Sequence, residues 1–185
     1  MYYTSQELKK LGVKKVGKLV KISNLVKFYN FKGSIGDYSR IDDYVILKGN
    51  ISIGKRVHIS SFSILTATNI KSSITIGDFT AISAQTAIYA VTDDFMVNHL
   101  DNPKLKNKNA KFQLGHLKIG KHCFVGVKST LLPKSNLKDH VSIAANSVVN
   151  ERVDTGYVLI QRAKNKLIKT KDIKKLKRLI KNYKH

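Results

Sequence analysis

The chain has 185 residues, 42% of them hydrophobic, enough for one core and too many for a disordered chain. Lys and Arg number 34 against 12 Asp and Glu, a formal charge of +22, and the single cysteine, Cys123, excludes an intramolecular disulfide and a cysteine-rich zinc site. No apolar run is long enough to span a membrane, and Met1-Tyr2-Tyr3-Thr4-Ser5-Gln6-Glu7 lacks the basic-then-apolar pattern of a signal peptide, so the cytoplasm is the expected location.

Only five of the 34 basic residues are Arg, the side chain best suited to bidentate contacts with bases and phosphates. No reading element or aromatic platform accompanies them, so nucleic acid is not an expected partner. The charge instead predicts affinity for small anions, such as a phosphorylated cofactor or a nucleotide sugar.

Residues 1–34 read as an N-terminal cap. Thr4-x-x-Glu7 is a capping box that opens a short helix over 4–12, and Gly12 suits its stop. Residues 13–34 lead onward, with Val20, Ile22 and Val26 covering an open end.

From residue 35 to 168 the chain repeats with a period of six. Ile35, Ile41, Leu47, Ile53, Ile59 and Leu65 form one run, and Ile70, Ile76, Ile82 and Ile88 a second. Ile119, Val125, Leu131, Leu137, Ile143 and Val149 form a third. Six steps of about 100° do not close a whole number of helical turns, so the repeat is not α-helical. Six-residue sides joined by corners make a coiled prism, and these sixteen sides at three per coil give about five coils. Position i carries the large aliphatic residue. Position i+4 is often small or β-branched, as at Ser39, Ser63, Thr80, Cys123 and Ser147, and faces the same interior. Gly at i+1 (Gly36, Gly54, Gly77, Gly120, Gly126) is expected to supply dihedral freedom for the corner.

Residues three hexads apart stack. With one residue missing near 66–69, that arithmetic puts Arg40, His58, Thr75 and Asp93 in one outward column. Rungs about 4.8 Å apart then separate His58 from Asp93 by about 10 Å. Residues 89–118 interrupt the repeat as a protruding loop, where function is expected. Residues 169–185 carry a basic amphipathic α-helix, with Ile173, Leu176, Leu179, Ile180 and Tyr183 on one stripe. It would pack on the prism or a neighbouring subunit, or make a weak peripheral contact with an anionic membrane.

The motif Ile53-Gly54-Lys55-Arg56-Val57-His58 resembles the hexapeptide-repeat acyltransferases, and the resemblance covers nearly the whole chain. It implies an all-β, left-handed parallel β-helix, a homotrimer, and acetyl-CoA bound in clefts between subunits. A narrower likeness is carried by Arg40-Ile41-Asp42-Asp43-Tyr44, Ile88-Tyr89-Ala90-Val91-Thr92-Asp93-Asp94-Phe95, Asn102-Pro103 and Gly120-Lys121-His122-Cys123. These segments resemble the galactoside O-acetyltransferase-like branch, which also holds acyltransferases for nucleotide-linked 4-amino-4,6-dideoxy sugars. The implied activity is acetyl transfer to a sugar hydroxyl or amine used in bacterial surface glycans. The alternatives are another acyl group on a nucleotide-linked amino sugar, and a non-catalytic β-helix that serves as a scaffold or a glycan- or ice-binding module.

Acyl transfer needs a base near neutrality and a donor for the developing oxyanion. Where related enzymes place a histidine at the loop, this chain has Thr92-Asp93-Asp94. The candidate catalytic residues are therefore Asp93, Asp94, His58 and His122, with His99 and His116 behind them. Arg40, Tyr89 and Asn102 are candidates for holding the acceptor. In related enzymes a Gly-x-Pro-Ala-Lys/Arg segment near the end of the coil meets the donor. Here Gln161-Arg162-Ala163-Lys164 keeps only Ala-Lys, so Gly126, Ala145 and Lys164 are the donor-binding candidates. The six histidines and one cysteine show no zinc-like spacing, and no metal is expected.

Overall fold

A computed structural model describes residues 1–93 and 112–160. The predicted C-terminal helix and most of the predicted loop lie outside the described residues. Within them the fold is a three-sided parallel β-solenoid. One face is a seven-stranded parallel sheet, built in order from Lys21–Ile22, Arg40–Ile41, His58–Ile59, Ala81–Ile82, Phe124–Val125, Ser142–Ile143 and Val158–Leu159. An 11-stranded sheet wraps the other two faces, because Lys27–Ile35 and Ile46–Ile53 run unbroken around a corner. The capping box is present, with Thr4 and Glu7 bonded reciprocally at the start of the helix Ser5–Lys10.

The periodic aliphatics form the core. Fifteen of the sixteen are buried, each 3% exposed or less. The exception is Ile70, which is 91% exposed and belongs to no strand. It falls in a turn at Asn69–Ser72, where the Asn69 side chain accepts from the Lys71 N–H and Ser72 bonds back to Asn69. The turn lengthens this coil. Ile53 stacks under Ile76, and Ile59 under Ile82, at a separation of 23 residues where neighbouring coils use 18. The expectation of a missing residue near 66–69 is thus corrected to an insertion of five (23 − 18). The expected five coils become seven rungs on the first face, because residues 13–34 already wind as coil and Val158–Leu159 adds a last rung.

The corners work differently from the sequence expectation. The glycines at i+1 do not adopt left-handed backbone; that conformation falls at i+3, on Tyr38, Tyr44, Arg56, Phe62, Phe79, Gln85, His122, Lys128, His140 and Asn146. At the corner where Gly36, Gly54, Gly77 and Gly120 stack, glycine is required by crowding between coils. A Cβ on Gly77 would lie 2.6 Å from the backbone carbon of Gly120, and one on Gly54 only 2.6 Å from the Asp78 carboxylate. That carboxylate accepts the Lys55 N–H across the corner, as Asp139 accepts that of Lys121.

Several buried hydroxyls at i+4 bond one coil to the next. Ser39 donates to Gly54 O, Thr80 to Gly120 O and Ser129 to Ala144 O. Small size lets these side chains fit between aliphatic layers, and the hydroxyl satisfies a corner carbonyl that would otherwise be buried without a partner.

Candidate active site

The alternating pattern Arg40-Ile41-Asp42 puts residues 40 and 42 outward around a buried Ile41. His58 stacks on Arg40 in the next coil. The corner turns Asp42 back between them: its Oδ2 lies 2.8 Å from His58 Nε2 and its Oδ1 accepts from Arg40 Nε at 2.6 Å. Partial burial pushes the Asp42 carboxyl up, but hydrogen bonds and charge from His58 and Arg40 outweigh it and hold the group below the usual carboxylate range. Arg40, Asp42 and Asp43 also line a polar cavity of about 350 Å³ with Met1, Tyr2, Ser23 and Ser61.

Directly above His58 stands Ala81, not Thr75. Thr75 belongs to another face, paired with Ser52 and Lys118. The predicted column of Arg40, His58, Thr75 and Asp93 is therefore corrected: the widened coil spans 23 residues where one missing residue implied 17, so every later residue lies six positions, one face, from its expected place. Arg40 and His58 remain neighbours. Asp93 ends a strand, Val91–Asp93, that pairs antiparallel with Phe112–Leu114, opposite Phe112. The loop leaves after Ala90 and returns at Gly115, whose N–H donates to Ala90 O and closes the neck. Tyr89 sits beside this neck, paired with Thr66. Asp93 and His58 thus belong to different faces of one protomer.

Gly126 and Ala145 do come together. A Cβ on Gly126 would lie 2.5 Å from the Ala145 nitrogen, so the corner stays bare. Below Gly126 in the same corner lie Ser83, Ser60 and Asp42, in descending order. His58 faces outward one rung below Ser83, its side chain 43% exposed.

His122 is at the opposite corner of this face, stacked between Phe79 and His140. His116 Nδ1 contacts the Ser73 hydroxyl. Asp94, His99, Asn102 and Lys164 lie outside the described residues. Among the described residues no three His, Cys, Asp or Glu side chains are grouped to hold a metal ion, and no helix is long and apolar enough to cross a membrane. Sequence reasoning missed Asp42 and Ser83 as site candidates. The signal for Asp42 was available, since residues 40 and 42 share a side and residue 58 stacks over 40. Ser83 was hidden by the misplaced insertion.

No protein-family model matches the chain. The dTDP-4-amino-4,6-dideoxy-D-glucose acyltransferase of Escherichia coli is 34% identical over 154 residues, 81% of this chain and 79% of that protein. Among solved structures, the N-acyltransferase AntD of Bacillus cereus, in complex with dTDP and 3-hydroxybutyryl-CoA, superposes with a TM-score of 0.79 at 33% identity, covering 97% of this chain and 95% of that one. A serine variant of AntD, in complex with dTDP-4-amino-4,6-dideoxyglucose and Coenzyme A, gives the same TM-score of 0.79 at 31% identity, with 97% and 95% covered. Likeness of this extent, on a solenoid whose interior follows the six-residue repeat, settles the assignment: the chain belongs to the hexapeptide-repeat acyltransferases, in the family of the Escherichia coli dTDP-4-amino-4,6-dideoxy-D-glucose acyltransferase.

Proposed function

We propose that the protein transfers an acyl group from a CoA thioester to the amine of a dTDP-linked 4-amino-4,6-dideoxy sugar. The observation that carries this reading is end-to-end similarity, in sequence and in fold, to two proteins named for acyl transfer, one of them solved with that sugar nucleotide and Coenzyme A. The acyl group is acetyl or a larger one, and the product serves a bacterial surface glycan made in the cytoplasm. The donor lies along the bare corner at Gly126 and Ala145, and the acceptor lies lower, toward Ser83 and Arg40; Lys164 remains a candidate for the donor, and Tyr89 and Asn102 for the acceptor.

The AntD structures include variants of a serine and of an aspartate ten positions further on. In this chain Ser83 and Asp93 have the same separation, which favours Asp93 over Asp94 for holding the acceptor ammonium. The working unit is a homotrimer of left-handed coils. One outward column supports self-association: above Lys27, the residues Ile46, Ile64, Ala87, Thr130 and Val148 stack on one face, while Ser34, Ser52, Thr75, Lys118, Asn136 and Arg152 stack on the next. Packing the apolar face against a second copy brings the Asp93 of one protomer toward the His58 face of another.

The test is release of CoA thiol on mixing the protein with acetyl-CoA or 3-hydroxybutyryl-CoA and dTDP-4-amino-4,6-dideoxyglucose. Turnover is expected with the free amine and not with its N-acetylated form. Equal thiol release without the sugar nucleotide would overturn the reading.

A further inference from the structure

We propose that Asp42 is a positioning residue that holds His58 as the proton acceptor for the attacking amine, with the imidazole Nδ1 turned toward the acceptor. This deepens the function proposed above and rests on it.

The inference starts from hydrogen-bond chemistry. An ionised carboxylate only accepts hydrogen bonds. Against partial burial, hydrogen bonds from His58 and Arg40 hold the Asp42 carboxyl below the usual carboxylate range, so it is ionised near neutrality. The contact of 2.8 Å between Asp42 Oδ2 and His58 Nε2 therefore requires the proton on Nε2. In the neutral imidazole this leaves the lone pair on Nδ1. Arg40, bonded through Nε to the other carboxylate oxygen, fixes the carboxylate from the far side. The charged groups facing His58 from the coil below are thus Arg40 and Asp42, with Asp43 beyond them in the cavity wall. The coil above contributes the uncharged Ala81 and then Ser83.

The placement suits the reaction. One rung, about 4.8 Å, separates the His58 level from that of Ser83, and the next rung carries Gly126. An amine held near Ser83 lies between the imidazole below and the bare donor corner above. The acceptor ammonium first releases one proton to solvent; the neutral amine then attacks the thioester carbonyl carbon and a C–N bond forms. His58 Nδ1 takes one proton from that nitrogen, the C–S bond breaks with its electron pair leaving on sulfur, and the proton passes from Nδ1 to the thiolate. The products are the amide and free CoA thiol, and His58 is neutral again.

The experiment compares wild type, His58→Gln, His58→Ala, Asp42→Asn and Asp42→Glu in the thiol-release assay, with ¹⁵N NMR of the histidine rings. Wild type should show the Nε2–H tautomer at His58. His58→Ala and His58→Gln should lose about 10²–10⁴-fold in kcat, and added imidazole should restore part of the loss in His58→Ala. Asp42→Asn should lose at least about 10-fold in kcat, with the acceptor KM within about threefold, and the fixed tautomer should disappear. Asp42→Glu should recover part of both. No turnover by wild type with either acyl-CoA would remove the proposed function and this proposal with it. Turnover by wild type with all four variants within threefold, or an Nδ1–H tautomer at His58, would overturn this proposal alone.

Discussion

The His122 and His140 rings stack face to face on consecutive coils, 5.0 Å between centroids and 2° from parallel. Phe79 stacks beneath His122 at 4.8 Å, and Arg56 lies between Phe79 and Tyr38, 4.7 Å above the Tyr38 ring. The ladder follows from the corner geometry: every member occupies i+3 with left-handed backbone, so its side chains leave the turn in one direction, one rung apart. This gives His122 a structural task. His122→Ala should lower the melting temperature, through lost ring contacts worth about 0.5–1.5 kcal/mol each, while leaving kcat within a few-fold. Steady-state kinetics beside a thermal melt check it, and a loss in kcat above about 100-fold would return His122 to the reaction.

Two isoleucines at repeat positions should answer oppositely to truncation. Ile82 is fully buried between Ile59 and Val125, so Ile82→Ala should cost about 2–5 kcal/mol. Ile70 is 91% exposed in its turn, and Ile70→Ala should change stability by less than about 0.5 kcal/mol. Denaturant melts of both variants test the register directly, and similar losses in the two would contradict it.

This contrast marks what was legible in the sequence. The interior was readable because a prism allows only aliphatic residues at i and short ones at i+4, and the alphabet reports that constraint residue by residue. Ile70 kept the aliphatic letter while the chain looped out, and nothing in the period distinguishes a core isoleucine from one on a turn. The Asn69–Ser72 hydrogen bonds make the difference, and they appear only in three dimensions. The active-site column failed for the same reason: a coil of 23 residues instead of the expected 17 moves all later residues by six positions, one face. The pairing of Arg40 with His58 survived because it precedes the insertion.

Acid should weaken the Asp42 contact. Its folded carboxyl sits below the unfolded value, so its contribution is fully present above the ordinary carboxylate range, about pH 4, and is lost as pH falls through the lower folded value. Melts of wild type and Asp42→Asn should be separated at pH 7 and should approach each other by about pH 3. A gap that stays constant to pH 3 would mean that the carboxylate contributes no charge-dependent stability.

The apolar outward column makes a stronger demand. Ile64 lies at its centre, between Ile46 and Ala87, on the face away from the buried core. In an isolated protomer a lysine there would be a solvated side chain of little consequence. If this face packs on a second copy, each Ile64→Lys places an ammonium in an apolar interface without a partner, and its desolvation opposes association. Repeated at every interface of a closed trimer, that penalty should leave a folded monomer. The Asp93 of one copy would then be separated from the His58 face of the next. Sedimentation of Ile64→Lys should give a mass near 20.8 kDa for this 185-residue chain, with an unchanged circular dichroism spectrum and thiol release near background. Thr75→Lys, on the polar face, should remain trimeric and active. A monomeric Ile64→Lys that retained full turnover would show that each protomer holds a complete site. A trimer unaffected by Ile64→Lys would move the interface to another face.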